Sequence, residues 1–339
     1  MFKRPRLSAQ TLPVNAGIAG FLLFYAASCS GPQEPAENEA SPDETASVEQ
    51  PATDEAPSDS LPAVWSTDQL DFPIRSIGIA GGAGSTFAIA YEGGGLQVFD
   101  FDGERVTAVA ETDVNALSEG RYAMLSGTPV TFFPGIDGAG DLKVWIHGGQ
   151  LPEAIEYDLQ GDQVDGAAGL CAAPPLGGSD VLHRLAYWSD GASTLQVGEI
   201  TETDGELAFT EVQTIETGSP IAACTFTADG IEFYSAPVAA TSNLRRMGRE
   251  TLLSITETGQ LTATYDNGET QDLDIKEGIT VRVPPNPTAL AAVGDARGGG
   301  YPGGIIVLGG TVSSGNHRAV LVDPSRITLT PISVPPGEQ

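Results

Sequence analysis

The sequence has few cationic side chains for its length. Lysine and arginine number 16 against 45 aspartates and glutamates, and the formal net charge is −29 at pH 7. Nucleic acids and anionic membrane surfaces bind proteins through clusters of Lys and Arg, so this charge disfavours both as partners. Beyond the N-terminal segment, the one basic cluster is Arg245, Arg246 and Arg249, which we expect to lie on a solvated surface. The charge balance therefore argues against nucleic-acid binding.

Segments with helical periodicity are almost absent after Trp65. The chain consists instead of short alternating or apolar runs, separated by Asp-Gly or Asn-Gly pairs and enriched by 42 glycines. Such pairs tolerate the positive φ of tight hairpin turns, and many short strands at this spacing indicate an all-β domain. The absence of alternating helices argues against a parallel α/β sheet.

The strand-like runs form groups of about four. The groups cover residues 72–112, 115–160, 166–216, 220–266 and 280–333. Four strands per unit at a period near 45–50 residues predict a single β-propeller of five to six four-stranded blades. A pair of β-sandwiches explains the number of strands equally well. It does not explain why each group begins with a Gly/Ala-rich strand.

Cysteine and histidine are scarce, which limits the metal and nucleophile chemistry that the chain can perform. His147, His183 and His317 show no paired spacing of the kind found in metal sites, and no Gly-x-Ser-x-Gly motif is present. Cys171 and Cys224 lie 53 residues apart in apolar runs. In an oxidising compartment they could form a disulfide, and two buried free thiols on neighbouring strands fit the sequence equally well.

The N-terminus carries a targeting signal. Lys3, Arg4 and Arg6 precede an apolar segment at residues 16–27, and small residues then lead into Cys29. This order is typical of a secretory signal peptide, and the cysteine makes it resemble a bacterial lipobox, in which Cys29 would be lipidated. As a helix the apolar segment is about 18 Å long, too short for the roughly 30 Å of bilayer hydrocarbon. An ordinary signal peptide with an incidental cysteine remains the alternative.

We expect residues 1–28 to be the signal peptide and 29–60 an acidic, Pro-rich linker behind the lipidated cysteine. Residues 31–60 contain nine carboxylates and five prolines but no Lys or Arg. Such a segment cannot bury enough apolar area to fold, so we expect a disordered tether; a partner-binding acidic tail is the alternative. Ser30 stands where inner-membrane lipoproteins often have Asp. The resemblance therefore favours a lipid anchor in the outer membrane, facing the periplasm or the surface.

Several segments of the body, taken as residues 61–335, resemble the β-propeller phytases. These are calcium-dependent hydrolases of myo-inositol hexakisphosphate with six blades. The similar segments, in conserved order, are Pro62-Ala63-Val64-Trp65, Gly94 to Gly103, Gly169-Leu170-Cys171, Gly218 to Cys224, Tyr301-Pro302-Gly303-Gly304 and Asn316-His317-Arg318. The resemblance implies a propeller scaffold. Between Tyr234 and Tyr301 the chain is about one blade shorter than the family.

The family's catalytic positions are not matched. Calcium needs six to eight oxygen ligands, and phosphoryl transfer needs cations around the departing oxygens. Ser60-Leu61 replaces the family's acidic pair, and Ala222 stands where it has a Glu. Residual ligands remain possible at Asp274, Glu277, Asn316 and Arg318. The sequence therefore predicts a non-catalytic propeller without a cofactor that binds an envelope protein or a small ligand. A calcium-dependent 3-phytase or phosphomonoester hydrolase of altered specificity is the alternative.

Overall fold

Nearly all the regular structure in the described part of the chain is β-strand. The computed structural model describes residues 60–82, 85–174, 181–227, 230–235, 238–265, 268–294, 301 and 303–327. The predicted signal peptide, Cys29 and the linker up to residue 59 lie outside them. No helix in the described ranges has the length and apolar character needed to cross a membrane.

Twenty-four strands are described. In chain order they are β1 (Leu61–Ser66), β2 (Ile74–Gly81), β3 (Thr86–Tyr91), β4 (Leu96–Asp100), β5 (Val114–Leu117), β6 (Gly120–Leu125), β7 (Thr128–Asp137), β8 (Leu142–His147), β9 (Ile155–Asp158), β10 (Gln160–Gly161), β11 (Ala167–Ala172), β12 (Val181–Ser189), β13 (Thr194–Thr203), β14 (Glu206–Glu216), β15 (Ala223–Thr227), β16 (Gly230–Tyr234), β17 (Val238–Arg246), β18 (Arg249–Thr256), β19 (Leu261–Tyr265), β20 (Thr270–Leu273), β21 (Ile275–Lys276), β22 (Ala289–Val293), β23 (Ile305–Thr311) and β24 (His317–Val322).

These strands form six blades. Blade 1 is β2-β3-β4 and blade 2 is β5/β6-β7-β8-β9, and the two are joined in one sheet where β2 pairs in parallel with β6. Blade 3 is β11-β12-β13-β14 with β10 at its edge. Blade 4 is β15-β16, blade 5 is β17-β18-β19-β20, and blade 6 is β22-β23-β24-β1 with β21 at its edge. The innermost strands β2, β5, β11, β15, β17 and β22 each contact the next one, and β22 contacts β2. The ring is closed, and the fold is a β-propeller.

Blade 6 is completed by the first strand of the body. β1 pairs antiparallel with β24, with Ala63 opposite Val322 and Ser66 opposite Val320. Leu61 and Ala63 are buried there, at 1% and 6% exposure. The two ends of the body therefore meet in one sheet, which fixes the ring without a further element.

Blade 4 departs from the predicted four strands. The structure divides the expected group 220–266 into a two-stranded sheet, β15-β16, and the four-stranded blade 5. Since β16 ends at Tyr234 and β17 begins at Val238, the chain returns to the axis without a third or fourth strand. The two strands that blade 4 lacks would follow Tyr234, within the region 234–301 where we expected the chain to be short, and they amount to half a blade instead of about one.

The core consists of layers between neighbouring blades. Trp145 is fully buried between blades 1 and 2, and Phe132 and Phe209 are fully buried between blades 2 and 3. Because both faces of a blade are covered by its neighbours, several inner strands are apolar in near-continuous runs. The turn at Asp204-Gly205, with φ of 55° and 87°, joins β13 to β14 as the Asp-Gly pair predicts.

Candidate functional site

The four residues singled out as residual ligands do not form a site. Asp274 is exposed, and its carbonyl accepts a hydrogen bond from Leu61 N at one end of β1. Arg318 donates to Thr67 O at 2.7 Å, at the other end of β1. Six residues of extended strand separate these points by about 20 Å. A joint site would require them to meet, and they do not.

Glu277 and Asn316 also serve local structure. The Glu277 carboxylate accepts from Arg282 Nη1 at 2.8 Å and from Val283 N at 3.2 Å. These two hydrogen bonds lower the pKa of Glu277, the backbone one contributing most. Asn316 O accepts from Val312 N at 2.9 Å in the turn before β24. Among the described residues, neither belongs to a group of side chains that could hold a metal ion.

Possible metal ligands are dispersed over the propeller. His147 lies in β8, His183 in β12 and His317 in β24, which belong to blades 2, 3 and 6. Within the ranges that the structure describes, no group of three or more His, Cys, Asp or Glu side chains is placed to hold a metal ion. The donor set that calcium requires is therefore not assembled by these residues.

The centre of the ring contains a cavity of about 230 Å³, here called the axial channel. It is lined by residues 75–77, 115–119, 168–172, 188, 222–225, 239–242 and 288–291. Most of these are Ala, Gly, Ser or Thr, as expected where six inner strands converge. Among them Glu119 is the only carboxylate, and Arg75 is held by Asn115 Oδ1. A channel wall of this kind offers too few oxygen ligands for catalytic calcium.

A disulfide joins two neighbouring inner strands beside the axial channel. Cys171 in β11 and Cys224 in β15 are bonded, with their Cα atoms 5.7 Å apart. Of the two possibilities that the sequence leaves open, the structure has the bonded pair. The bond ties the small blade 4 to blade 3 at their innermost strands.

A second cavity lies where the inner strands end. This exit cavity, of about 400 Å³, is lined by residues 79, 81–82, 119–122, 174, 243, 245 and 292–294. The first halves of the inner strands line the axial channel, and the second halves line the exit cavity. The inner strands therefore run in the same direction along the channel. Pockets of this size with a few convergent polar groups are typical binding sites.

Glu119 projects between the two cavities because its strand is interrupted. Leu117 pairs with Gly135 in β7, and Arg121 pairs with Phe132. The four residue steps from Leu117 to Arg121 therefore lie opposite only three steps of β7. This extra residue is a β-bulge between β5 and β6, and it redirects the Glu119 side chain. A Cβ on Gly120 would lie 2.4 Å from Phe133 Cδ1, which explains the glycine beside Glu119.

Burial raises the pKa of Glu119 to about 7, although the charge of Arg245 and a hydrogen bond to the backbone of Asn243 act in the opposite direction. Its carboxylate lies 3.8 Å from Arg245 Nη1, and the Glu119 side chain is 25% exposed. At this distance the pair is loose. Glu119 therefore exists in both protonation states near neutral pH, which is a frequent property of functional carboxyl groups.

Arg245 and Asn243 reach the exit cavity from β17. Arg245 Nε donates to Glu250 Oε1 at 3.0 Å and Nη2 donates to Phe226 O. Asn243 Nδ2 donates to the same carbonyl at 3.0 Å. The Oδ1 atom of Asn243 has no hydrogen-bond partner, although the residue is only 3% exposed. A buried acceptor without a donor is costly, and because this oxygen is sealed from solvent it does not open onto the cavity.

Arg121 lines the exit cavity from the opposite strand. Its Nη1 donates to Leu182 O, and burial lowers the pKa of the guanidinium. Burial lowers the pKa of His183 to about 4, and the positive charge of Arg121 adds to this effect. A hydrogen bond with the backbone of Glu119 acts in the opposite direction. His183 is therefore neutral near pH 7, and its ring packs edge-on against Phe132 at 5.6 Å.

No protein-family model matches the chain, and no curated protein matches its sequence. Many solved structures are similar to the chain, and three of them are compared with it. AofleA from Arthrobotrys oligospora, as a triple arginine-to-alanine mutant, matches with a TM-score of 0.50 and 10% identity over 75% of this chain and 85% of that chain. The likeness is one of fold.

The other two similar structures are described as lectins. The lectin of Aleuria aurantia, a six-bladed β-propeller with a novel mode of fucose recognition, matches with a TM-score of 0.48 and 12% identity, over 79% of this chain and 100% of that chain. The SapL1 lectin in complex with alpha methyl fucoside matches with a TM-score of 0.46 and 14% identity, over 76% of this chain and 98% of that chain.

The sequence analysis missed the residues of the exit cavity. It placed Arg245 and Arg246 on a solvated surface, which is wrong. Arg245 lines the cavity, and Arg246 is 8% exposed and donates to Pro324 O and Ile327 O at 2.8 Å each. Asn243 and Arg245, two positions apart in an inner strand, face the same side. That alternation was readable in the sequence, whereas the bulge that presents Glu119 was not.

Proposed function

We propose that this chain is a lipid-anchored protein of the cell envelope whose propeller binds a small polar ligand in the exit cavity and does not hydrolyse it. The observation that carries the proposal is the exit cavity of about 400 Å³, whose wall presents Arg121 and Arg245. These groups can bind a ligand through hydrogen bonds. A single adjacent carboxylate, Glu119, does not supply the ligand set of a calcium-dependent hydrolase.

The proposal includes a phytase-like scaffold that has lost its calcium and phosphate site. Its support is the position of the matched segments. Residues 62–65 lie in β1, residues 94–103 in and around β4, Cys171 in β11 and Cys224 in β15. All are strands or turns of the frame. No cofactor is part of the proposed activity, and calcium would enter only if the alternative, a 3-phytase-like phosphomonoester hydrolase, were correct.

Attachment to the membrane is proposed through Cys29 after removal of residues 1–28, with the acidic linker of residues 29–60 separating residues 61–335 from the bilayer. The support is the order of basic, apolar and small residues before the cysteine. Ser30, in place of Asp, supports the outer membrane, facing the periplasm or the surface. An envelope protein is the alternative partner to a small ligand.

The absence of hydrolysis is tested by incubating the purified body with phytate and millimolar calcium. We expect phosphate release equal to that of a blank without protein, and no change when a chelator replaces calcium. Calcium-dependent release well above the blank would refute the non-catalytic function and establish the hydrolase alternative.

The anchor is tested by Cys29→Ser in the full-length precursor. We expect the variant to leave the membrane fraction and to lack the mass of the lipid, whereas the control Ser30→Ala keeps both. Ser30→Asp should move the protein to the inner-membrane fraction. A Cys29→Ser protein that fractionates and weighs like the lipidated parent, apart from the exchanged side chain, would rule the lipid anchor out.

A further inference from the structure

Blade 4 leaves a gap in the outer part of the ring. Its sheet consists of β15 and β16, whereas the sheets of the neighbouring blades 3 and 5 have at least four strands each. Adjacent strands of a sheet lie about 4.8 Å apart, so blades 3 and 5 extend about 10 Å farther from the axis than β16 does. The space beyond β16 and between these two blades is here called the blade 4 gap, and it is two strands deep.

The hydrogen bonds of β15 show which of its backbone groups serve β16. Cys224 O accepts from Thr241 Oγ1 at 3.2 Å. Phe226 O accepts from Asn243 Nδ2 at 3.0 Å. Both donors belong to β17, so these two carbonyl groups point to blade 5 and away from β16. Because successive carbonyl groups of a strand point in opposite directions, the carbonyl group of Thr225 points to β16.

The outer edge of β16 is therefore unpaired. Thr225 lies opposite Glu232, and these two residues exchange the hydrogen bonds of the pair. The residues on either side, Ile231 and Phe233, direct their N–H and C=O groups to the outer edge. In the part of the chain that the structure describes, β16 pairs with β15 alone. Such an edge is a template for the addition of a further strand.

The blade 4 gap is apolar on the side of blade 3. Phe233 lies opposite Cys224, whose disulfide joins it to blade 3, so Phe233 and Ile231 both face that blade. Ile231 packs there in a cluster with Leu195 and Ile215. Phe233 is 36% exposed. A strand added to β16 would therefore bury Phe233 beneath apolar side chains on this side.

The other side of the gap is acidic. Glu232 alternates with Phe233 along β16 and therefore points towards blade 5. On blade 5, Asp272 belongs to one cross-strand row with Thr262, Ser254 and Thr241, the row that faces β15. Glu232 and Asp272 are both exposed, and no described Lys or Arg forms an ion pair with either. This side of the gap therefore attracts cationic side chains.

The depth and the charge of the gap restrict what can occupy it. In a second copy of this chain, blades 3 and 5 would meet those of the first copy before the two β16 edges came within about 4.8 Å. The predicted linker of residues 29–60 and the C-terminal residues 328–339 contain no Lys or Arg, and the basic residues of 1–28 belong to the predicted signal peptide. A slender, cationic segment of a different protein meets both restrictions.

We propose that the blade 4 gap binds an extended segment of another protein, which adds to β16 as a third strand and carries apolar side chains alternating with Lys or Arg. Its apolar side chains cover Phe233, and its cationic side chains face Glu232 and Asp272. Backbone hydrogen bonds to Ile231 and Phe233 supply affinity, and the alternation supplies specificity. This inference goes beyond the proposed function and does not depend on the exit cavity.

The test uses the mature protein with Cys29→Ser, so that no lipid is attached, and fluorescence anisotropy of labelled seven-residue peptides. One peptide alternates Val with Lys, a second alternates Val with Glu, and a third has the composition of the first with its Val residues grouped together. We expect the alternating Val-Lys peptide to bind at least tenfold more tightly than either of the others. N-methylation of its backbone on the side that pairs with β16 should weaken binding about tenfold, since hydrogen bonds are lost.

Amide hydrogen exchange locates the bound peptide. Saturation with the Val-Lys peptide should slow exchange at Ile231 and Phe233 at least tenfold, and leave Glu232, which is already bonded to β15, unchanged. Glu232→Lys should remove the preference for the Val-Lys peptide over the Val-Glu peptide. The matched control is Glu153→Lys, at an exposed glutamate after β8, which should keep that preference.

Several outcomes would overturn the proposal. These are equal affinity for the Val-Lys and Val-Glu peptides, failure of the Val-Lys peptide to bind at millimolar concentration, and unchanged exchange at Ile231 and Phe233. Slow exchange at both residues without peptide, in a protein that sediments as a dimer, would assign the edge to a second copy instead. Binding that requires deletion of residues 328–339 would assign it to the C-terminal residues of this chain. The proposed function is judged separately, by phosphate release and by the Cys29 variant.

Discussion

At the scale of single residues, Glu119 is the group with the most unusual environment. Its pKa is raised from 4.5 to about 7, chiefly by burial. The folded state therefore holds a proton that the unfolded state releases. Its contribution to stability is fully present below pH 4.5 and is lost as the pH rises through 7.

Glu119→Gln should remove this dependence. At about 1.4 kcal/mol for each tenfold change in proton concentration, the folded parent should lose up to roughly 3 kcal/mol relative to the variant between pH 4.5 and pH 7.5. Urea denaturation of both proteins across this range measures the difference. A difference that does not change with pH would show that Glu119 has an ordinary pKa. The comparison with the variant is needed because His183 changes the stability in the opposite direction. Its pKa is lowered to about 4, so its contribution to stability is lost as the pH falls from 6.5 towards 4.

Gly294 keeps the wall of the exit cavity in place. A Cβ there would lie 1.5 Å from Arg245 O, a backbone atom that cannot turn aside. Gly294→Ala should therefore push β17 away and destabilise the fold by about 1–3 kcal/mol. Gly149→Ala is the control, because a Cβ at Gly149 meets nothing within 4 Å. Thermal melting compares the two variants. Equal melting temperatures would mean that β17 can move aside without loss of stability.

At the scale of elements, the sequence predicted the first three groups of strands well. The groups at residues 72–112, 115–160 and 166–216 correspond to the strands of blades 1, 2 and 3. Blade 4 was not predicted, because β15-β16 and the strands of blade 5 look like one group of four or five runs. Whether successive hairpins share a sheet depends on where the chain returns to the axis, and local periodicity does not contain that information.

The disulfide supports this incomplete blade. Cys171 and Cys224 are 53 residues apart, and a loop of that length corresponds to about 4 kcal/mol of stabilisation in the chain-entropy account. Replacing both by Ala should lower the free energy of unfolding by roughly this amount, measured by urea denaturation. Hydrogen exchange should accelerate first in β15 and β16. Uniform acceleration over all six blades would contradict a local role for the bond.

At the scale of the whole molecule, closure depends on β1. The strand is the fourth strand of blade 6 and buries Leu61 and Ala63. Deleting residues 60–67 should cost roughly 3 kcal/mol or more, since a buried leucine and a strand of pairing are lost. The exposed edge of β24 should also promote association. Deleting residues 31–56 instead should leave thermal melting unchanged. Equal stability of the two deletions would contradict closure by β1.

The propeller architecture itself was predictable from the sequence, whereas its site was not. Gly/Ala-rich inner runs and Asp-Gly turns such as Asp204-Gly205 are local features. The exit cavity joins β6 and β17, which are more than a hundred residues apart, and its shape depends on a one-residue bulge. The segments that resemble the phytases lie on the frame, so they predicted the scaffold and not the cavity.

A crystal structure of the purified body grown with calcium would test the central claim most directly. We expect no calcium in the axial channel. Calcium held in the channel by four or more acidic side chains would contradict the account.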